Sequence, residues 1–386
     1  MQIHRQQRRR WTGMMSPHRK AIGLVVGVLV ALAANLADAQ QYPDDPTVFP
    51  PGDVRDLQFF APPDTGFYDG LPAPNRGFNF AFDGLYWSIQ KPDLANIGAS
   101  PSLITNQATY PPALVSQSDT TGLQSEFSEG NRFEIGYQGA HNGLMVTYYR
   151  LNDQLQLADM THATLVLQDS TGAMVPKEYT AFQTSNEVEH WNIELLYTRR
   201  FRQFALGGQL EAFVGVRYLQ FDETFDMIGY VRPGAPVNVD KQDMFINQYV
   251  NNHLIGPEIG GRYSRKQERW GFSADCRFVP GFNFQTFRQQ GEVDKFFVTL
   301  PGNTLAFTHS ASETEFAPLI ELRLELHYQL TRAIQAKVGW NGIWMDNIAR
   351  ASSSIDYVPR AMGIDTSRNR QDVLMTGVTA GIEINR

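Results

Sequence analysis

Charged and apolar side chains alternate near the C-terminal end of the chain, over residues 318–330. A strand places every second residue on the same face, so the polar residues would form one row. Such a row could set the ion preference of a pore or bind a charged group of a substrate. It could also form a cross-strand salt-bridge lattice that fills a narrow barrel, which is the interpretation we favour. The row consists of Glu321, Arg323, Glu325, His327 and Gln329.

Two further polar residues would also lie on one face of a strand. His190 and Glu194 lie four residues apart, and a strand would place both on one face. An imidazole and a carboxylate could act together as metal ligands. We interpret them instead as further polar lining of the same interior, and we predict no metal and no cofactor.

Known catalytic motifs are missing from the sequence. There is no P-loop, G-x-G-x-x-G, H-E-x-x-H, G-x-S-x-G or EF-hand pattern. Several acidic and histidine residues would permit a hydrolase, but their spacing singles out no catalytic dyad. We therefore predict that the protein is not an enzyme and has no catalytic residue. The residues considered are Asp153, Asp159, His162, Asp169 and His309.

Composition excludes several classes of protein. Of 386 residues, 19% are charged and 12% are aromatic, a low charge and a high aromatic share for a globular protein. A net charge of -7 argues against nucleic-acid binding, which needs a basic face. A single cysteine excludes a disulfide framework and a cysteine-based zinc site. The mean hydropathy of -0.32 argues against a helical membrane protein.

The N-terminal region has the pattern of an export signal. Basic residues precede an apolar run at 21–34, and Ala37-Asp38-Ala39 supplies a cleavage pattern of small residues. We interpret residues 1–39 as a signal peptide, with an uncleaved anchor as the alternative. Residues 40–75 contain eight prolines and no periodicity, which indicates a flexible leader.

Ten segments, including 318–330, show strand-like alternation, and no convincing amphipathic helix is found. In 318–330 the apolar face would contact lipid through Leu322, Leu324, Leu326 and Tyr328. The nine other segments are 78–90, 131–138, 144–151, 188–198, 209–221, 252–264, 270–278, 334–344 and 373–384.

The connections between these segments alternate in length. A soluble domain rarely keeps many long loops, whereas a transmembrane barrel has long external loops and short periplasmic turns. We predict an all-β fold in which residues 76–386 form one transmembrane antiparallel barrel of about 10 strands, with 12 possible. A soluble β-sandwich or lipocalin-like barrel is the alternative. The long connections are 91–130, 152–187, 222–250, 285–316 and 349–370; the short ones are 139–143, 200–207, 264–269 and 331–333.

Aromatic residues near the segment ends suit the girdles that flank the apolar band of such a barrel. These are Trp87, Trp191, Tyr263, Trp270, Trp340 and Trp344.

Several short motifs, in order, resemble β-barrel porin family 7, the planctomycete-type outer-membrane barrel proteins. The likeness runs from about Phe78 to Arg386, and it implies an outer-membrane barrel of unestablished function without catalytic residues. The motifs are 83–87 (DGLYW), 215–219 (GVRYL) ending at Glu223, 251–256 (NNHLIG) with Gly260 and Arg262, 316–322 (FAPLIEL), 328–331 (YQLT), 338–340 (VGW) with Trp344, 347–350 (NIAR) and 355–356 (ID).

Taken together, these features predict an exported outer-membrane barrel that is a porin-like or structural envelope component with a polar lumen. A surface receptor or adhesin acting through its long loops is the alternative, and a hydrolase is the less favoured one. Eight-stranded barrels are filled by side chains, so a ten-stranded barrel would be narrow. The expected partners are outer-membrane lipid and small solutes or ions, with no nucleic acid. The sequence does not set the oligomeric state.

Overall fold

Ten long antiparallel strands form a closed ring in the computed structural model. The structure describes residues 77–98, 118–168, 174–201, 204, 208–231, 241–294, 304–357, 362–367 and 370–385. Each strand pairs with its neighbours in sequence, and the first pairs with the last. The strands are β1 (Gly77–Ile89), β2 (Phe127–Gln138), β3 (Asn142–Gln168), β4 (Met174–Arg200), β5 (Gly208–Val231), β6 (Lys241–Gln267), β7 (Trp270–Asp294), β8 (Thr304–Gln329), β9 (Ile334–Ile348) and β10 (Gln371–Asn385).

The predicted all-β barrel of ten strands is confirmed, because each alternating segment coincides with one strand of the ring. In the membrane-facing band every strand has two partners, whereas residues 154–168 of β3 and 304–318 of β8 each pair with one neighbour only. In the described residues, no helix is both long and apolar enough to span a bilayer. The predicted signal peptide (1–39) and leader (40–75) lie outside the described residues.

The strands are much longer than predicted on the side away from the short turns. The predicted loops at 152–187, 222–250 and 285–316 are mostly strand, so those boundaries were wrong. The alternation fades there because the outward residues are polar, as in the run of Ser and Thr from Thr308 to Thr314. Backbone pairing continues nevertheless, because it does not depend on side-chain type.

The register shows that the strands are strongly staggered around the ring. Following the partners of Asp83 through β2 to β7 leads to Glu315 on β8. Following them the other way, through β10 and β9, leads to His327 on the same strand. A stagger of this kind requires strands tilted by roughly 35–45° from the barrel axis. Side chains far apart in sequence therefore meet at one level inside.

Aromatic side chains form two girdles on the outer face. Near the short turns, Phe78 lies 5.0 Å from Tyr137, and Trp270 lies 4.8 Å from Tyr328 (ring centroids). We call this the inner girdle. The outer girdle contains the pairs Tyr86–Phe127 at 4.8 Å, Trp191–Tyr218 at 5.2 Å and Phe282–Phe316 at 6.0 Å.

Apolar side chains such as Val216, Ile259 and Leu324 cover the outer face between the two girdles. Strands β3 to β8 continue past the outer girdle. On β5, residues Tyr218 to Val231 add roughly 40 Å of extended chain.

One predicted girdle residue has the opposite orientation. Trp87 points into the barrel and is fully buried, 5.3 Å from Tyr149 (ring centroids). Its neighbour Tyr86 is the residue that faces outward, with half of its surface exposed. Adjacent strand residues point to opposite faces, so only one of two consecutive aromatic residues can face outward and belong to the girdle.

Two short strand pairs lie in the connections beyond the outer girdle. Asn96–Ile97 pairs with Ser118–Asp119, and Ile355–Asp356 pairs with Gly363–Ile364. Ile97, Ile355 and other apolar residues of these segments pack in one cluster with inward residues of β3 to β8. The connections at 91–130 and 349–370 therefore contribute described residues to the barrel interior.

Candidate functional site: the barrel interior

Buried charged residues occupy the part of the interior that is enclosed by the membrane-facing band. They come from β1, β2 and β4 to β9, always from inward positions of the alternating pattern. We call this set the charged layer. It consists of Asp83, Arg132, Glu134, Glu194, Glu211, Arg217, Glu258, Asp275, Arg277, Glu321, Arg323 and Lys337.

The polar row of β8 stands at the centre of the charged layer. Arg323 contacts Glu321 on its own strand, and its Nη1 donates to Glu134 Oε1 of β2 at 2.8 Å. Glu321 Oε2 accepts from Arg217 Nη1 of β5 at 2.5 Å. Because β2 and β5 lie on opposite sides of β8 in the ring order, these contacts cross the interior and link distant strands.

Glu194 joins three arginines. Its carboxylate contacts Arg277, lies 3.3 Å from Arg217 Nη2 and lies 3.5 Å from Arg323 Nη2. All four side chains are 0–2% exposed. These contacts tie β4, β5, β7 and β8 together, because opposite charges attract strongly away from water.

A second group of ion pairs lies closer to the short turns. Arg132 Nε donates to Asp83 Oδ2 at 2.7 Å, and its Nη2 donates to Glu325 Oε1 at 2.7 Å. Lys337 Nζ lies 3.0 Å from Asp83 Oδ2. His327 Nε2 lies 3.7 Å from Glu325 Oε2 and 3.0 Å from Ser273 Oγ. The contacts thus extend from β1 and β2 to β8 and β9.

The predicted interior residues are all placed on the inner face of the ring. Glu321, Arg323 and Gln329 are buried, whereas Glu325 and His327 are half-buried. Leu322, Leu324 and Leu326 are on the outer face with 36–42% of their surface exposed. Tyr328 is also on the outer face, against Trp270.

His190 and Glu194 are both buried on the inner face, but they do not contact each other as a pair. His190 Nε2 lies 3.1 Å from the hydroxyl of Tyr149, whereas Glu194 contacts the arginines. Among the described residues, no group of three or more His, Cys, Asp or Glu side chains is arranged to hold a metal ion.

An apolar layer lies next to the charged layer, on the side away from the short turns and level with the outer girdle. The prediction of a polar lumen therefore holds only for the membrane-enclosed part. Apolar side chains fill the narrow ring closely here, as in a protein core. The layer consists of Leu85, Trp87, Ile89, Tyr149, Leu151, Val188, Leu219, Phe221, Leu254, Val279, Ala317, Leu319, Ile343, Met345, Ile348, Val373 and Met375.

A chain segment is inserted into the barrel above the apolar layer. Asn347 begins it with φ at 56°, a left-handed conformation that Asn tolerates better than most residues. The segment continues through the 3-10 turn Ala351–Ser353 to Tyr357. We call residues 347–357 the inserted segment.

Buried polar residues of the strands hold the inserted segment in place. Arg350 and Glu223 form a fully buried pair, with Nη2 donating to Oε1 at 2.8 Å and Nε to Oε2 at 3.0 Å. Glu223 Oε2 also accepts from the backbone N–H of Ala351 at 2.7 Å. Asn252 donates to the Ala349 carbonyl at 2.9 Å and accepts from the Ala349 N–H at 2.8 Å.

Sequence reasoning noted the motifs around Glu223, Asn252 and 347–350 but assigned them no role. The motifs could have indicated a buried polar contact, because Asn, Glu and Arg side chains need hydrogen-bond partners when they are buried. What could not be read from them was that the partners lie more than ninety residues apart, as Asn252 and Ala349 do.

The residues considered for hydrolysis do not assemble into a described site. Asp153 and Asp159 are exposed on β3, and Asp153 Oδ1 lies 3.7 Å from Arg150 Nη2. His309 is half-buried on β8. The side chain of His162, like Asp169, lies outside the described residues.

Solved structures with a similar fold are outer-membrane barrels, and their sequence identity to this chain is very low. The outer membrane protease OmpT from Escherichia coli is 12% identical, covering 84% of this chain and 100% of its own, with a TM-score of 0.40. The toluene transporter TbuX of Ralstonia pickettii is 9% identical (81% and 89% covered, TM-score 0.20). A Pseudomonas aeruginosa FadL homologue is 7% identical (84% and 92% covered, TM-score 0.24). These scores are too low to bear on function.

Sequence comparison identifies the family directly. No curated protein sequence matches the chain. The model of the family described as "Putative beta barrel porin-7 (BBP7)" matches residues 115–370, which is more than half of the chain. This range includes eight complete strands of the ring and the inserted segment. The chain therefore belongs to this family of β-barrel porins, and it is a porin-like outer-membrane β-barrel protein.

Proposed function

We propose that this protein is a sealed barrel and a structural component of the outer membrane, and not an open diffusion pore. The observation that carries the proposal is the stacking of three buried barriers along the interior: the charged layer, the apolar layer and the inserted segment. Conduction requires a continuous path that ions or solutes can enter and leave. A solute would have to break several buried ion pairs and then cross a close-packed apolar layer.

The charged layer supports sealing rather than selectivity. Charges that select ions in a pore face water, whereas Arg217, Arg277 and Glu194 are no more than 1% exposed, and both arginines pair with Glu194. The strands beyond the outer girdle would then extend the barrel wall outside the membrane. The proposal assigns no catalytic role to the exposed acidic residues Asp153 and Asp159.

The test is conductance of the full chain in lipid. The protein is reconstituted in liposomes, and flotation of the liposomes shows whether it has inserted. Liposome swelling with small sugars and unitary currents in planar bilayers are then measured. An open porin at the same protein-to-lipid ratio is measured in parallel. We expect insertion without swelling and without current steps. Stable unitary steps from the inserted wild-type protein would contradict the proposal.

A double variant separates the barriers. Arg217→Ala with Arg323→Ala removes two cations that cross the interior, but the apolar layer and the inserted segment remain. We expect the double variant to stay silent. If it conducts, the charged layer alone closes the barrel, and the apolar layer is not a barrier. Turnover of a peptide, ester or lipid panel that is lost on Asp153→Asn or Asp159→Asn would instead support the hydrolase alternative.

A further inference from the structure

A row of buried amide side chains lines the interior beyond the apolar layer. The register makes its members neighbours: Gln156 of β3 opposes Asn186 of β4, and Gln248 of β6 opposes Gln289 of β7. Phe225 of β5 lies between Asn186 and Gln248. We call the four amide residues the amide row; each is no more than 1% exposed.

Most polar atoms of the amide row have no hydrogen-bond partner among the described residues. Asn186 Nδ2 donates to Glu223 Oε1 at 2.7 Å and to Gln156 Oε1 at 3.3 Å. Gln156 Nε2, Asn186 Oδ1 and both amide atoms of Gln248 and Gln289 are buried and unpaired. Proteins pair nearly all buried polar atoms, because an unpaired one is destabilising. Six such atoms lie in this one row, so a ligand with donor and acceptor groups would stabilise it by pairing them.

Aromatic side chains surround the amide row, and His309 of β8 opposes Gln289 in the register. Phe225 belongs to the row by register, and Phe287 and Phe307 lie on the same inner face beside it. Glu223, the nearest carboxylate, is neutralised by its paired contacts with Arg350. The row therefore offers neutral donors and acceptors beside aromatic rings.

This chemistry selects one class of ligand. The amides themselves carry no charge to pair with an anion or a cation, and a purely apolar molecule would leave them unpaired. Vicinal hydroxyl groups both donate and accept, as primary amides do, and the C–H face of a sugar ring packs on aromatic rings. We propose that the amide row binds a neutral, hydroxyl-rich ligand of the saccharide class.

The site would be reached from outside the membrane. The charged and apolar layers separate it from the short-turn end of the barrel. On the outer side, the hydroxyl of Tyr357 lies 3.5 Å from Sδ of Met227, one inward position beyond Phe225. Tyr357 packs in one cluster with Phe225, Phe287 and Phe307, so a ligand must displace side chains of this cluster and association is slow.

The test uses the full chain in detergent with glucose, galactose, maltose and N-acetylglucosamine as probes, and with gluconate and glucosamine as charged comparators. Samples are incubated overnight, and thermal unfolding and saturation-transfer NMR are recorded. Gln248→Leu and Gln289→Leu remove the amides at similar volume. Gln290→Leu is the matched control, since Gln290 is the adjacent residue of β7 and is exposed on the outer face.

We expect a saturable rise in unfolding temperature with at least one neutral sugar and none with the charged comparators. Affinity should fall about tenfold or more in Gln248→Leu and in Gln289→Leu, and should be unchanged in Gln290→Leu. Absence of saturable binding to every neutral sugar by the wild-type protein overturns the proposal, as does equal loss in all three variants. If a Leu variant does not fold, the wild-type NMR measurement still decides.

Discussion

The two ends of the barrel interior are filled by opposite means. Within the membrane, side chains of the strands themselves close the ring, as salt bridges that cross from one strand to distant ones. Beyond the outer girdle, a segment of chain between β9 and β10 enters the ring and is held by Glu223 and Asn252. The same strands therefore surround two kinds of interior, one filled by ion pairs and the other by an inserted segment of chain.

The reason lies in what surrounds each end. The outer face between the girdles must be apolar, which leaves the inner face as the place for charge. Once buried in a narrow ring, those charges need partners, and only other strands can supply them. Beyond the girdle the outer face is polar, so the inner face can be apolar and form a core with inserted chain.

The largest expected effect comes from breaking the charged layer. Arg323→Leu leaves Glu134, Glu194 and Glu321 without one of their cations, and losing one partner of a buried ion pair costs about 3–5 kcal/mol. The measurement is the free energy of unfolding by urea in vesicles. Lys91→Leu, at an exposed position, is the control and should change it by less than about 0.5 kcal/mol.

The next effect concerns the outer face of the same strand. Leu324→Arg places a charge among apolar side chains between the girdles and should cost roughly 2–4 kcal/mol. Judged by alternation alone, Arg323→Leu would be the milder change, since it places no charge in lipid. The contacts of Arg323 reverse that order. If Arg323→Leu is tolerated while Leu324→Arg is not, the charged layer is weaker than its geometry indicates.

A smaller global effect is expected in the outer region. Arg350→Leu leaves Glu223 buried without its cation, but the inserted segment can leave the ring and let water reach the carboxylate. We expect a loss of about 1–3 kcal/mol, below that of Arg323→Leu, with new protease cleavage within 347–357. Arg370→Leu, at a largely exposed pair with Glu315, is the control and should leave cleavage unchanged. Cleavage sites inside the membrane band would show that the two regions do not unfold separately.

The smallest effect is a pH dependence outside the membrane band. Asp222 lies beyond the outer girdle, and burial raises the pKa of its carboxyl to about 6, with Glu189 acting in the same direction. The folded protein therefore holds this proton at a pH where the unfolded chain has lost it. Stability should fall by about 1–2 kcal/mol as the pH rises from about 4 to 6 or slightly above.

Asp222→Asn separates this effect from other titrations. The variant cannot ionise at this position, so the fall in stability across that pH window should be reduced. Thermal unfolding at pH 4, 5, 6 and 7 measures it for both proteins. An unchanged pH profile in Asp222→Asn would assign the effect to another group.

Some features of this protein followed from its sequence alone. The strand number, the antiparallel ring and the inward or outward direction of residues such as Arg323 and Leu324 all rest on a period of two. That period is local, because a strand turns each side chain to the opposite face of its neighbour. It fails only where the outer face loses its apolar character, which is why β3 to β8 were predicted too short on the side away from the short turns.

Only the tertiary structure decided which residues meet. Arg217 reaches Glu321, Asn252 holds Ala349, and Gln248 stands beside Gln289, because closure and stagger of the ring bring these levels together. No local pattern encodes the stagger, since shifting a strand by two residues preserves its alternation while changing every partner. The sequence by itself therefore determined the wall of the barrel, and the register of the closed ring decided what fills it.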